Sequence, residues 1–215
     1  MDQVTHYDPA MTGLVLIDLL NDFIAEDGKL YPAVAAALED GEFVARLRRL
    51  IAGARAAGIK VFYGPHGLDE HSFDDVRQVH PTFRNALKNQ VFWKGTHGAD
   101  FYPALRPEPG DVVVSRHRMY DSFKGTDLEQ QLKLAGAERI VLAGFTSGTC
   151  VEGTGRHALE DGYHVTFLSD GVADFDEASH RAAVDIAYPA FGHAVLTVDE
   201  FLIAVDKNES QSTSH

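Results

Sequence analysis

Cys150 is the only cysteine in the chain, and its setting suits a nucleophile. It follows an apolar run, Ile140–Ala143, and a connecting stretch, Gly144-Phe-Thr-Ser-Gly-Thr149, and it precedes a helical pattern that begins near Val151. A thiol at the start of a helix meets unpaired main-chain N–H groups and the positive end of the helix dipole, which favour the thiolate. The same N–H groups can hold a developing oxyanion. The bland alternative is a small buried apolar residue, which is what most lone cysteines are. Asp18 ends another apolar run, where a carboxylate is costly to bury without a partner. It could act as a general base near the thiol, or simply cap the turn, which Asp22 could do equally. A third group, Ser115-Arg-His-Arg118, also follows an apolar run. Its cationic and titratable side chains could pair with a carboxylate, a thiolate or a substrate carboxylate, or form a solvated basic patch.

Other chemistries lack their signatures. Of the eleven histidines, His66, His71, His80 and His97 share one irregular stretch, but none falls into a zinc-binding spacing, so no metal is expected. There is no GxGxxG, Walker loop or GxSxG elbow, and no cofactor is expected. Nineteen basic against thirty-two acidic residues give a net charge of −13. That charge argues against nucleic acid or an anionic membrane surface as partner. No signal pattern and no apolar run of membrane-spanning length occurs. The expectation is a cytoplasmic protein that handles a small molecule. At 215 residues, 45% hydrophobic, it can bury about 70% of its unfolded surface without a disulfide.

The elements that must hold these residues alternate. Strands are expected over 13–18, 59–63, 111–115, 139–144, 163–168 and 194–197. Helices are expected over 40–57, 126–134, 150–160, 177–190 and 198–205, the first with Phe43, Leu47, Leu50, Ile51 and Ala54 on one stripe. Strands apolar throughout, each followed by a helix, imply an α/β fold of three layers, α/β/α, with a six-stranded, mostly parallel, Rossmann-like sheet. Ligands in such sheets sit outside the carboxyl ends of the strands, where Asp18, 115–118 and 144–150 all fall. Residues 65–110 break the rhythm and read as a lid or pocket wall. The chain is expected to form one domain over 1–207, beginning with a ten-residue arm, and to end in a disordered polar tail over 208–215.

Together these pieces resemble the isochorismatase-like cysteine hydrolases, a family that includes nicotinamidases, carbamoylsarcosine amidases and related amidohydrolases. The resemblance runs from Leu14 to Phe201. It is strongest over Ile140-Val-Leu-Ala-Gly-Phe-Thr-Ser-Gly-Thr-Cys-Val-Glu-Gly-Thr154, continuing through Ala158 and Gly162-Tyr163, which looks like the family's nucleophile turn and following helix. Leu16-Ile-Asp-Leu-Leu-Asn-Asp-Phe23 is similar to its catalytic aspartate segment, and Phe123-Lys-Gly-Thr-Asp-Leu128 to the stretch after its catalytic lysine.

The resemblance implies that Cys150 is the nucleophile and Asp18 its base. It also implies a non-proline cis peptide at Phe145–Thr146 and an oxyanion hole made by the N–H groups of Thr146 and Cys150. The family lysine has no counterpart here. Counting forward from Gly110-Asp111 puts Arg116 at its position; counting back from Phe123 puts His117 there. Arginine keeps a permanent charge but cannot shuttle a proton, whereas histidine can. Tyr63-Gly-Pro-His66 lacks the aspartate of the nicotinamidase metal site, which disfavours that activity. The expected reaction is cofactor-independent hydrolysis of a C–N bond in an amide, ureide or imide-like small molecule through a thioester. Phe23, Trp93, Tyr120 and Phe123 would line the pocket, and a homo-oligomer, dimer or tetramer, is expected from the relatives. Two rivals stand beside this: vinyl ether hydrolysis of the isochorismate type, which in this family uses no cysteine, and a non-catalytic small-molecule-binding protein on the same scaffold.

Overall fold

Strands apolar on both sides can only sit in the middle of the molecule, with helices covering each face. The computed structural model describes residues 7–39 and 41–212, with side chains as far as 205. Its sheet holds six strands: β1 (Thr12–Ile17), β2 (Lys60–Gly64), β3 (Val112–Val113), β4 (Arg139–Phe145), β5 (His164–Ala173) and β6 (Ala194–Leu196). They lie in the order β3-β2-β1-β4-β5-β6, and every pairing is parallel. Side chains alternate between faces along each strand. Leu14 and Leu16 of β1 therefore join one core, and Val15 and Ile17 the other.

The first core is closed by α2 (Tyr31–Leu38), α3 (Glu42–Ala56) and α9 (Val198–Ser212), after the single turn α1 (Asn21–Ile24). On α3, Phe43, Leu47, Leu50, Ile51 and Ala54 are the buried residues, which is the stripe the periodicity predicts. The second core is closed by α5 (Leu128–Leu134), α6 (Glu152–Glu160) and the helical run from α7 (Glu177–Arg181) through a π-turn (Ala182–Ala187) to α8 (Tyr188–Phe191). A third, smaller cluster of Leu68, Phe73 and Phe83 lies under the long β2–β3 connection, which carries α4 (Pro81–Lys88).

Several boundaries move. The third strand is only two residues long; past it the Ser115 N–H donates to Asp127 at 2.6 Å, and pairing beyond the end of β2 resumes at His117. The N-terminal arm is not all outside the core: Tyr7 is buried, bonds Thr166 at 2.8 Å and meets Phe201 edge-on. Residues 1–6 lie outside the described residues. The closing helix runs past Val205 to Ser212, so the stretch expected to be disordered is helical that far, and 213–215 lie outside the described residues. Among the described residues no helix is long and apolar enough to cross a membrane.

Candidate active site

The carboxyl ends of β1, β2 and β4 bring the site together. Gly144, near the end of β4, has φ +120°, and a Cβ there would lie 2.0 Å from the Ile17 carbonyl oxygen. Glycine is what lets β4 press against β1 beside Asp18. Asp18 itself takes φ +56°, a left-handed conformation that costs most non-glycine residues about 1–3 kcal/mol. The turn aims its carboxyl inward, where it is fully buried. Oδ1 accepts the His66 main-chain N–H at 2.6 Å and lies 2.9 Å from His117 Nε2. Oδ2 has no hydrogen-bond partner at normal geometry.

His117 is one of the two candidates for the position of the family lysine. Its Nδ1 faces the Met119 carbonyl at 2.8 Å and its Nε2 faces the Asp18 carboxylate. Both ring nitrogens meet acceptors, so only the doubly protonated imidazolium satisfies both. Burial alone would push this histidine's pKa down, but the Asp18 charge and hydrogen bond hold it above the ordinary value. In return, burial would raise the Asp18 carboxyl, yet the His117 cation brings it below the usual carboxylate range. The two form a buried ion pair. Arg116 points elsewhere: its Nη1 donates to the His66 carbonyl at 2.7 Å. Arg118 grips Asp75 through both guanidinium nitrogens, at 2.5 and 2.9 Å. Of the two candidates for the lysine position, the structure brings His117 to the carboxylate.

Cys150 is found inside a π-turn, Ser147–Val151, ahead of α6, rather than at the helix tip itself. The Phe145–Thr146 peptide before it is cis, where the family resemblance implies one. The electrostatics of the resting site oppose the expected thiolate. Burial, followed by the nearby Asp18 carboxylate, pushes the thiol's pKa well up, and the opposing contacts from Thr149 and the Thr146 main chain do not offset them. The resting sulfur is a neutral thiol, 5% exposed, with its Sγ 3.9 Å from the Met119 carbonyl oxygen. Nor is it freely open. A cleft of about 700 Å3, lined among others by Val34, Phe43, Asp174 and His180, does not include it. That cleft adjoins the Ser147–Val151 turn, where Asp174 accepts the Gly148 N–H at 2.7 Å and His180 contacts the Ser147 hydroxyl at 2.9 Å.

The aromatic residues divide. Phe23 stacks on Phe145, centroids 4.8 Å apart, and continues through Phe92 to His66. Trp93 and Tyr120 pack instead in the third cluster, Tyr120 against Phe83. Phe123 is engaged by His157, 4.7 Å away, and Tyr163, so its ring packs within the second core. His66 is the residue that sequence reasoning undervalued. Grouped only with the other histidines of the irregular stretch, it is buried, and its N–H holds Asp18. Burial and the neighbouring His117 charge push its own pKa down to about 3, so the ring is neutral. Its place directly after β2 was the available signal.

The isochorismatase domain model matches residues 12–200. A ureidoacrylate amidohydrolase, RutB, from Methylobacterium radiotolerans is 33% identical over 201 residues, covering 86% of this chain and 76% of that protein. The crystal structure of a cysteine hydrolase from Pseudomonas syringae pv. phaseolicola 1448A shares the fold, with a TM-score of 0.82, 24% identity, and 94% and 96% of the two chains covered. That of N-carbamoylsarcosine amidase from Thermoplasma acidophilum gives a TM-score of 0.68 at 25% identity, over 88% of this chain and 97% of that one. Sheet order and these likenesses converge: the chain is a hydrolase that belongs to the isochorismatase family.

Proposed function

We propose that the protein hydrolyses the C–N bond of a small amide or ureide through a thioester, with Cys150 as nucleophile, Asp18 as base and His117 in place of the family lysine. One observation carries the reading: Asp18 has one oxygen fixed by two donors and the other without a partner, beside a thiol whose proton it can take. As Sγ bonds the substrate carbonyl carbon, the thiol proton passes to Asp18, and the N–H groups of Thr146 and Cys150 stabilise the oxyanion. The C–N bond then breaks, and Asp18 returns the proton to the leaving nitrogen. Asp18 next takes a proton from water as the water attacks the thioester; the C–S bond breaks and the proton returns to sulfur. His117 stays charged throughout and keeps Asp18 from holding the proton too tightly. The buried thiol requires the segment bearing Met119 and Tyr120 to give way as substrate enters. A single free cysteine suits a reducing cytoplasm.

The named activity of the RutB relative supports a ureide as first substrate to try. Wild-type enzyme quenched during turnover of ureidoacrylate should show a covalent adduct on Cys150 by intact mass, absent from Cys150→Ser. Equal turnover by both proteins would remove the cysteine from the reaction.

A further inference from the structure

We infer that Arg116 binds a carboxylate carried by the substrate, so that the molecule hydrolysed is an anionic amide or ureide. The inference rests on the hydrolytic reading above and adds the substrate's charge to it.

The charges of the site balance without Arg116. Asp18 and His117 neutralise each other, the Cys150 thiol is neutral, and His66 is neutral. Arg116, next to His117 in the chain and near enough to feel the Asp18 charge, is therefore a surplus cation. It is half-buried, and among the described residues it has no ion pair with any carboxylate. Its one hydrogen bond goes to the His66 carbonyl, the residue whose N–H holds Asp18. A cation taken partly out of water without a counter-ion is unfavourable. Burial accordingly pulls its pKa down, with Asp100 and Asp18 acting on it only as charges beyond ion-pair distance.

Its position is nevertheless fixed. A Cβ at Gly67 would lie 2.2 Å from Arg116 Cδ and 3.0 Å from its Cβ, so the missing side chain at Gly67 is the groove in which the arginine stem lies. The His66 carbonyl holds one end of the guanidinium, and the remaining N–H groups have no protein acceptor among the described residues. A planar donor set, held in place and lacking an anion, matches a carboxylate in fork geometry. A monoanionic substrate would bring the site to neutrality.

The test compares ureidoacrylate with its neutral methyl ester. Wild type should prefer the acid by about 10- to 100-fold in kcat/KM, the range of a charge-assisted bond, and the difference should lie in KM. In Arg116→Gln the acid-to-ester ratio should collapse to within about threefold, with Arg116→Lys between the two. An ester handled as well as the acid by wild type, or an unchanged ratio in Arg116→Gln, overturns the assignment. Calorimetric binding of acid and ester to Cys150→Ala reads the same preference without turnover. Equal binding of the two overturns the arginine's role, whereas selective acid binding with no hydrolysis by wild type supports it and overturns only the hydrolytic reading.

Discussion

Asp18, directly after β1, and Asp22, in the α1 turn that follows, are both buried carboxylates, yet they have opposite fates. Asp22 has a donor on each oxygen: its Oδ1 accepts the Lys29 N–H at 3.1 Å and its Oδ2 the Phe92 N–H at 2.5 Å. Those bonds tie the α1 turn to two loops and leave neither oxygen without a partner. Asp18 spends one oxygen on two donors and leaves the other without a partner. A buried polar atom without a partner is unfavourable in the resting fold, and in an enzyme it is where a reactant's proton can go. The way two hydrogen bonds are shared between the two oxygens, rather than burial or charge, separates Asp22 from the aspartate proposed as the base.

The largest test of that contrast is a pair of isosteric changes. Asp18→Asn should lower kcat by about 10^3-fold or more, measured on the same amide or ureide that wild type turns over. Asp22→Asn should change kcat by less than about tenfold and instead lower stability by about 1–3 kcal/mol, read from urea denaturation. Equal loss of kcat in both would dissolve the distinction. A smaller effect sharpens the role of His117. Replacing it with Gln keeps a donor to Asp18 but removes the cation, and kcat should fall about 100-fold. His117→Lys should retain activity and move the alkaline limb of the rate profile upward, since lysine loses its proton at higher pH than histidine.

The same pair sets a stability window. The Asp18 pKa is depressed, so its contribution is present above the unfolded value of 3.8 and lost as pH falls through the folded value. The His117 pKa is raised, so its contribution is full below 6.5 and lost as pH rises through the folded value. The difference in denaturation midpoint between wild type and His117→Gln should therefore shrink at both acid and alkaline ends. Smallest of all is Arg118→Ala. Its bridge to Asp75 is exposed, at 34% and 68%, and should contribute less than about 1 kcal/mol in the same denaturation experiment.

Much of the architecture was legible because burial imposes periodicity. The apolar runs of β1, β4 and β5 and the α3 stripe could hardly have been anything else. The short helices α2 and α4 were missed, although Pro32 and Pro81 stand in their first turns and prolines favour that place. The lysine position was not legible for a more specific reason. In an unbroken strand Val114 and Arg116 would share a face, which would turn Arg116 inward. Instead the pairing slips by one residue: the Val114 N–H reaches the Tyr63 carbonyl, but the His117 N–H, not that of Arg116, reaches the Pro65 carbonyl, which delivers the histidine. A one-residue irregularity of this kind leaves no mark in a local apolar pattern. The thiol's protonation was also out of reach, because it depends on burial and on Asp18 more than on the helix that the sequence displays.

The central claim is that Cys150 rests as a thiol and gives its proton to Asp18 only as it attacks. The ultraviolet thiolate absorbance of wild type minus Cys150→Ser, followed from neutral to strongly alkaline pH, tests it without substrate. No thiolate band at neutral pH, with one emerging only in the alkaline range, is the predicted result. A full band at neutral pH would show a sulfur already ionised, and Asp18 would have no proton to accept from it.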